Sequence, residues 1–409
     1  MELQAAKTMR IQVLPSQDQK YILNKWMGTV RWTYNQGVAF INQHGVKDNL
    51  NLKTLRAAIV NNDTHKGRDT EWVLETPYDI RDDAIRDLIK AFESNFAKKK
   101  LNPEHKFFIR FKSKKRGCLD NLTLHGKHLK PEPNHPRKFG LYPTFFTKKV
   151  GPLLCAEPLP ACFNNYDLRL IKERTGKWYL CIPLPLNHVY SSARPLATIK
   201  EKIQEPTVVA IDPGVRTFLT CYSPSGDVFE VGSTEDMDRI YGLCKRIDAI
   251  QSLITKKEVF IKRRRKRRLK LRARKVQKEI KDLKSEVHRK TAKLLLANYD
   301  VILLPTFETG QMSNNTDHNR KINSVTVRKM MTWSHYSFQQ LLIAKAREAP
   351  ATKVMLVDES YTTKTCGICG YENPNVGGAK EFTCPRCNKR IERDWVAARN
   401  IFIKNHHLL

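Results

Sequence analysis

Cys366, Cys369, Cys384 and Cys387 stand as two pairs, each with two residues inside it, and fourteen residues separate the pairs. Two residues between thiols let both sulfurs of a pair reach one tetrahedral ion from a tight turn. The spacing therefore predicts a zinc site of four cysteines on a short ribbon. This constrains the fold more than any helix or strand propensity, because it fixes where residues 366–387 must close on themselves. Four ordinary buried thiols would need the paired spacing to be accidental. With a thiolate in every position no coordination site stays open, which makes the ion structural. Cys118, Cys155, Cys162, Cys181, Cys221 and Cys244 show no pairing pattern and fit small buried residues in a reducing compartment.

A chain of 409 residues, 41% of them hydrophobic, can bury a real core and divide into two or three domains. Its formal net charge is +32, from 73 Lys and Arg against 41 Asp and Glu. So much positive field calls for a polyanion, and nucleic acid is the leading partner. An anionic membrane competes for that role, but no run approaches 18 consecutive apolar residues. The opening residues also lack the apolar core of a signal peptide, so an intracellular protein is expected.

Residues 8–14 alternate as a half-buried strand does, and Pro15-Ser16 can cap a following helix over 17–42. A second helix is predicted over 79–99, with Ile80, Ile85, Leu88, Ile89 and Phe92 on one side. From 106 to 190 the pattern turns to strands, at 107–111, 168–171 and 178–182. In the first of these, aromatic and basic residues interleave as in single-strand contacts, with the rings read as core and the bases as contacts. Residues 185–206, rich in Pro and Lys, read as a linker. Val208-Val209-Ala210-Ile211 is a continuous apolar run, as a strand covered on both faces should be, and it ends in the turn Asp212-Pro213-Gly214. Strands at 217–223 and 228–231 follow, then a helical region over 236–298 and a strand at 301–304. A helix over 334–347, a strand at 354–357, the cysteine ribbon and a last helix from Asp394 complete the order. Three strands in meander, then helix, strand, helix, strand and helix, is an α/β order of the RNase H-like kind.

In such a layer, acidic residues at neighbouring strand ends and on a facing helix meet at one spot. Hard oxygen ligands of that sort hold Mg²⁺, and two ions about 3.5–4 Å apart serve phosphodiester chemistry. Asp212 at the end of the central strand is the first candidate, against a plain Asp-Pro-Gly turn. Asp394 opens the last helix, where it also suits the helix dipole; Val396, Ala397, Ile401 and Ile403 are available to pack. Two residues compete for the third place. Glu308 lies three residues into a loop, whereas Glu359 directly follows a strand, and the more rigid position favours Glu359.

With Asp212, the strand order, residues 361–370 (Tyr-Thr-Thr-Lys-Thr-Cys-Gly-Ile-Cys-Gly) and residues 393–401 (Arg-Asp-Trp-Val-Ala-Ala-Arg-Asn-Ile) assembled, the chain resembles the TnpB and Fanzor transposon-encoded nucleases. These are RNA-guided DNA endonucleases with a RuvC-like domain, relatives of the type V CRISPR effectors. The resemblance is strong over 206–404 and weaker over the opening strand and helix. It implies that Asp212 and Asp394 are the first and last catalytic aspartates and that the four cysteines form the family's zinc ribbon. Pro305 stands where bacterial members usually carry glutamate, a departure that fits a glutamate relocated to Glu359 and the eukaryotic or viral Fanzor branch.

The implied architecture is an RNase H-like (RuvC) nuclease domain at 207–361 and 392–409, interrupted by a zinc ribbon at 362–391. Ahead of it would come a β-barrel-like wedge module at 1–16 and 101–190, an inserted helical recognition domain at 17–100 and a linker at 191–206. The implied activity is cleavage of DNA complementary to a guide (omega) RNA, next to a short duplex motif, by metal-dependent hydrolysis at Asp212, Glu359 and Asp394. The cofactors would be structural Zn²⁺, catalytic Mg²⁺ and the guide RNA, in a ribonucleoprotein holding one copy of the chain, without a membrane partner. Of residues 262–275, eleven of fourteen are basic: Lys262, Arg263, Arg264, Arg265, Lys266, Arg267, Arg268, Lys270, Arg272, Arg274 and Lys275. Positive charge on every side of a helix favours contact with the RNA–DNA duplex over a merely solvated face. The run also suits nuclear import, which sets the expected location as the nucleus in a eukaryotic host and otherwise the cytoplasm or a viral factory. Two other readings remain open at this stage, a zinc-ribbon nucleic-acid-binding protein without catalysis and an RNase H-fold transposase that joins strands.

Overall fold

The computed structural model describes residues 6–46, 49–114, 120–186, 206–256, 261–307, 323–349, 351–375 and 379–409. The chain divides into two compact units, residues 1–188 and 189–409.

In the first unit, strand β1 (Ala6–Val13) buries Ile11 and Val13 on alternate positions and runs into helix α1 (Gln17–His44). Ser16 caps that helix: its Oγ accepts from Gln19 N at 3.2 Å while Ser16 N donates to Gln19 Oε1 at 3.0 Å. A second long helix, α2 (Tyr78–Leu101), packs on α1 through Val38, Ile41, Ile85 and Leu88. After the helices come β2 (Asp120–Leu124), β3 (Leu129–Pro131), β4 (Lys138–Leu141), β5 (Leu153–Leu154), β6 (Leu168–Lys172) and β7 (Trp178–Pro185). They form two antiparallel sheets, ordered β1-β7-β6-β2 and β3-β4-β5, where a barrel-like module was expected. Val13 of the first sheet bridges Cys155 beside the second. The strand expected over 107–111 is not one. Phe107 and Ile109 pack on the helical core, but Phe108 and Phe111, rings expected in the core, are exposed, and residues 107–111 form no strand.

The second unit is built on a five-stranded sheet ordered β10-β9-β8-β11-β12. Its strands are β8 (Val208–Pro213), β9 (Leu219–Tyr222), β10 (Val228–Val231), β11 (Val301–Pro305) and β12 (Lys353–Val357). The first three make an antiparallel meander, and β8, β11 and β12 run parallel. Helices α3 (Thr234–Thr255), α4 (Arg263–Asn298), α5 (Ser324–Trp333) and α6 (His335–Ala346) cover one face, where Ile240, Leu295, Trp333 and Phe338 meet Val209, Ile211, Ile302 and Leu304. The last helix, α7 (Arg393–Asn405), covers the other, where Ile401 meets Val208, Ala210, Leu303 and Val357. Both faces of β8 are thus apolar, which accounts for its unbroken hydrophobic run. The helical region expected over 236–298 is two helices, with Lys256 closing α3 and Lys262 opening α4. The helix expected over 334–347 is preceded by α5, and Ser334 turns between them in the left-handed region at φ 55°.

Candidate metal centres

Alternation along β8 places Val208, Ala210 and then Asp212 on the α7 face of the sheet. Asp394 sits in the first turn of α7, which crosses β8 and β9; Ala397 and Ala398, both 0% exposed, let the helix lie close against the strands. Ile403, expected to pack, is 45% exposed instead. Glu359 lies two residues beyond Val357 at the end of β12, on the parity that faces α7. The three carboxylates converge. Asp212 is held well above the usual carboxylate range, first by burial and then by the negative charges of Asp394 and Glu359, with Arg393 opposing them. Glu359 is pushed up to about 7, by burial and then by Asp358 beside it. Arg393 holds Asp394 through Nε and Nη2, 3.0 and 2.9 Å from Oδ1.

The supports of these groups are specific. Trp333 Nε1 donates to Val215 O at 3.3 Å and His335 Nε2 to Gly214 O at 2.9 Å, fixing the turn that follows Asp212. A Cβ at Gly214 would come within 2.6 Å of Thr217 O, so the turn accepts only glycine there. On the other side, α7 grips the loop that carries Glu359. Asn400 Nδ2 donates to Thr362 O and Thr365 O at 2.9 and 2.8 Å, and Asn405 Nδ2 to Asp358 O at 3.1 Å. Lys404 Nζ donates to Asp358 Oδ2 and to Ser360 O. The Lys404 hydrogen bond first, and then those that Ser360 Oγ and N donate to Asp358 Oδ1, hold Asp358 below the usual range at the surface, so the adjacent acids differ in environment. One helix therefore carries Asp394 and positions Glu359.

The four cysteines form the second centre. Their sulfurs all lie within 4.8 Å of one another, with Cys366 Sγ to Cys387 Sγ at 3.8 Å and Cys369 Sγ to Cys384 Sγ at 3.7 Å. A regular tetrahedron around zinc with bonds of about 2.3 Å has edges of about 3.8 Å, so the quartet fits Zn²⁺ without rearrangement. The spacing is far too wide for disulfides. The hairpin of β13 (Glu381–Thr383) and β14 (Arg390–Glu392) carries the second pair of cysteines and leads into α7. A Cβ at Gly367 would lie 2.9 Å from Val396 Cγ1, which shows how tightly the first knuckle rests on that helix. Among the described residues, the cysteines are the one group with three or more metal-ligating side chains that close together. Asp212, Glu359 and Asp394 do not form such a close group.

Glu308 lies outside the described residues. Lys262 to Lys275 fall where expected, on the first turns of α4; up to Arg272 none is buried, and packing begins at Ala273 and Val276. Sequence reasoning missed Glu230 and its partner Trp395. Glu230 pairs with Thr220 across β10 and β9, and Thr220 with Asp212 across β9 and β8, so the three share one row on the α7 face. Only the sheet register reveals that row.

The fold, with a four-cysteine cluster ahead of its last helix, resembles that of Cas12f1. A family described as "Cas12f1-like, TNB domain" matches residues 335–401, and one described as "Helix-turn-helix domain" matches residues 1–44, a range that includes β1 and α1. The solved Cas12f1–sgRNA–target DNA complex shares the fold, with a TM-score of 0.53 at 14% identity over 97% of this chain and 98% of that one. "Putative transposase A625R" of Paramecium bursaria Chlorella virus 1 is 30% identical over 97% of this chain and 86% of its own length. "TnpB-like protein L79" of Acanthamoeba polyphaga mimivirus is 25% identical over 96% of this chain and 72% of its own. The chain belongs to the TnpB family. No helix among the described residues is long and apolar enough to cross a membrane.

Proposed function

We propose that this protein is an RNA-guided DNA endonuclease in which Asp212, Glu359 and Asp394 form the catalytic centre. The observation that carries the reading is that three carboxylates, from β8, the end of β12 and α7, lie on one sheet face, where burial first and then the charges of Asp394 and Glu359 raise Asp212 far above its ordinary range. In a chain of net charge +32 that expects to hold phosphate, uncompensated acids weaken binding unless cations intervene. The donors are all carboxylate oxygens, which fits Mg²⁺. When bound there, the ions supply charge neutralisation and activation of water at the scissile phosphate. The chain's own part is to present the three acids in fixed relation: Trp333 and His335 hold the Asp212 turn, and Asn400, Lys404 and Asn405 hold the Glu359 loop. Zn²⁺ at the cysteine quartet secures the ribbon against α7.

Sequence choice falls to base pairing between a guide RNA and one DNA strand, as in the Cas12f1 complex whose fold this chain shares. The exposed bases of α4 suit the backbone of that hybrid, and residues 17–100 suit a recognition domain between the strands of a wedge module. The relocated glutamate and the viral relatives support the Fanzor branch, with the basic run serving nuclear entry in a eukaryotic host. The test is purified ribonucleoprotein with matching target DNA and Mg²⁺. Cutting that is lost in Asp212→Asn and in Glu359→Gln, with RNA retained, supports the reading. Strand joining would favour a transposase, and undiminished cutting by either variant would remove this site.

A further inference from the structure

We propose that Trp395 and Tyr361 are stacking platforms on the two flanks of the acidic centre, each receiving a base of an unpaired DNA strand beside the phosphate to be cut. This deepens the nuclease reading and rests on it.

Trp395 follows Asp394 in the first turn of α7. Its Nε1 donates to Glu230 Oε1 at 3.2 Å, and Glu230 lies in the same cross-strand row as Asp212, two strand spacings or about 10 Å away. Glu230 is steadied in turn by Lys380, whose Nζ is 3.6 Å from Oε1 and which also pairs with Glu392 at 2.9 Å. The one polar atom of the indole is therefore satisfied and its orientation set, yet the residue remains 44% exposed. Trp26, Trp178 and Trp333 are buried, whereas Trp72 is 38% exposed.

Tyr361 stands on the opposite flank, two residues past Glu359. Its φ of 67° is unusual for a bulky side chain, a conformation that persists only where surroundings enforce it. Here its carbonyl accepts from Lys364 N at 3.0 Å, Thr365 N at 3.1 Å and Thr365 Oγ1 at 2.9 Å. The backbone is locked while the residue stands 62% exposed, with Lys364 Nζ 5.9 Å from the ring centroid. Two exposed aromatic residues, Trp395 oriented by Glu230 and Tyr361 on a fixed backbone with Lys364 over its ring, flanking the acids, match the needs of a single strand. Base–aromatic stacking tolerates any sequence, which suits a strand whose identity is read elsewhere by pairing.

The experiment uses full-length ribonucleoprotein in an Asp212→Asn background, so that binding is read without cutting, with a fluorescently labelled oligo-dT as probe. Trp395→Ala and Tyr361→Ala are each expected to weaken oligo-dT binding by about 5- to 100-fold, with Trp395→Phe keeping most of it and the copurifying RNA retained at parental yield. Parental affinity in both alanine variants, at parental melting temperature, overturns the inference. Loss of RNA in place of oligo-dT overturns it too, and would assign the rings to the guide. A protein that never cuts matched DNA while its alanine variants still lose oligo-dT refutes the nuclease reading and leaves the platforms standing.

Discussion

Asn400 offers the sharpest test of how the acidic centre is held. It is 8% exposed, and its side-chain amide donates to Thr362 O and Thr365 O at 2.9 and 2.8 Å, across the base of the loop that carries Glu359. Asn400→Ala strands both carbonyls in a site too tight for easy hydration. An unmade buried hydrogen bond costs about 1–3 kcal/mol, so the pair amounts to about 2–6 kcal/mol, or a melting temperature lower by about 4–24 °C for a unit of this size. The functional effect should exceed the stability effect at temperatures well below melting, because Glu359 loses its fixed place while Asp212 and Asp394 keep theirs. Turnover is expected to fall at least 10-fold with target binding unchanged, since positioning errors act on the chemical step. Asn400→Asp keeps the volume but faces two carbonyls with acceptors only, and should be no better than alanine. Ile403→Ala on the same helix, exposed at 45%, is the control and should be neutral. Single-turnover cleavage beside differential scanning calorimetry decides the matter. An Asn400→Ala protein that melts within a degree of the parent and cuts at its rate refutes the claim that α7 positions the loop.

Zinc should copurify at one ion per chain by elemental analysis, and Cys384→Ser should lose it, lower the melting temperature of the second unit and reduce cutting, since the first knuckle rests on α7. Acid should weaken the same unit. His288 and His335, both 4% exposed, are pushed down to about 4 and about 3 by burial. The unfolded chain thus binds more protons below pH 6.5, and stability that is full above that value drains as pH falls toward 4. At pH 5 the loss is about 2 kcal/mol per histidine; because Asp212 and Glu359, raised in the folded chain, gain protons and stability over the same range, the loss is read in an Asp212→Asn, Glu359→Gln background as a lower urea midpoint than at pH 7, and equal midpoints there would contradict it. Replacing Arg264, Arg265, Arg267 and Arg268 by glutamine should flatten the salt dependence of nucleic-acid binding by about 0.7–0.9 per lost phosphate contact, in a plot of log affinity against log salt. An unchanged slope would place those arginines off the nucleic acid.

What the sequence disclosed follows from how local each signal is. The cysteine quartet, the Ser16 cap and the β8 run are written in neighbouring residues, and each appears in the structure as read. Residues 107–111 misled twice: of the rings read as core only Phe107 packs inward, with Ile109, while Phe108 and Phe111 stay exposed, and the segment gains its burial from helices instead of a sheet ladder. A helical period likewise reports a face and not a break, so the division between α3 and α4 passed unnoticed. Contacts that depend on register across strands were illegible. Trp395 and Glu230 are separated by 165 positions, and His335 and Gly214 by 121.

The choice between candidate acids shows where local reasoning can still succeed. Glu359 and Asp358 are adjacent and chemically alike, yet alternation from Val357 sends one toward α7 and leaves the other at the surface. Asp358 gathers hydrogen bonds and sits below the usual carboxylate range, as a residue serving stability does. Glu359 and Asp212 sit above it, both first through burial, Glu359 then through the charge of Asp358 and Asp212 through those of Asp394 and Glu359. A fold that keeps such a strain at the meeting point of β8, β12 and α7, and braces it from three helices, spends stability where the rest of the chain conserves it. That contrast between neighbouring carboxylates, more than any single motif, is the physical ground for placing the chemistry there.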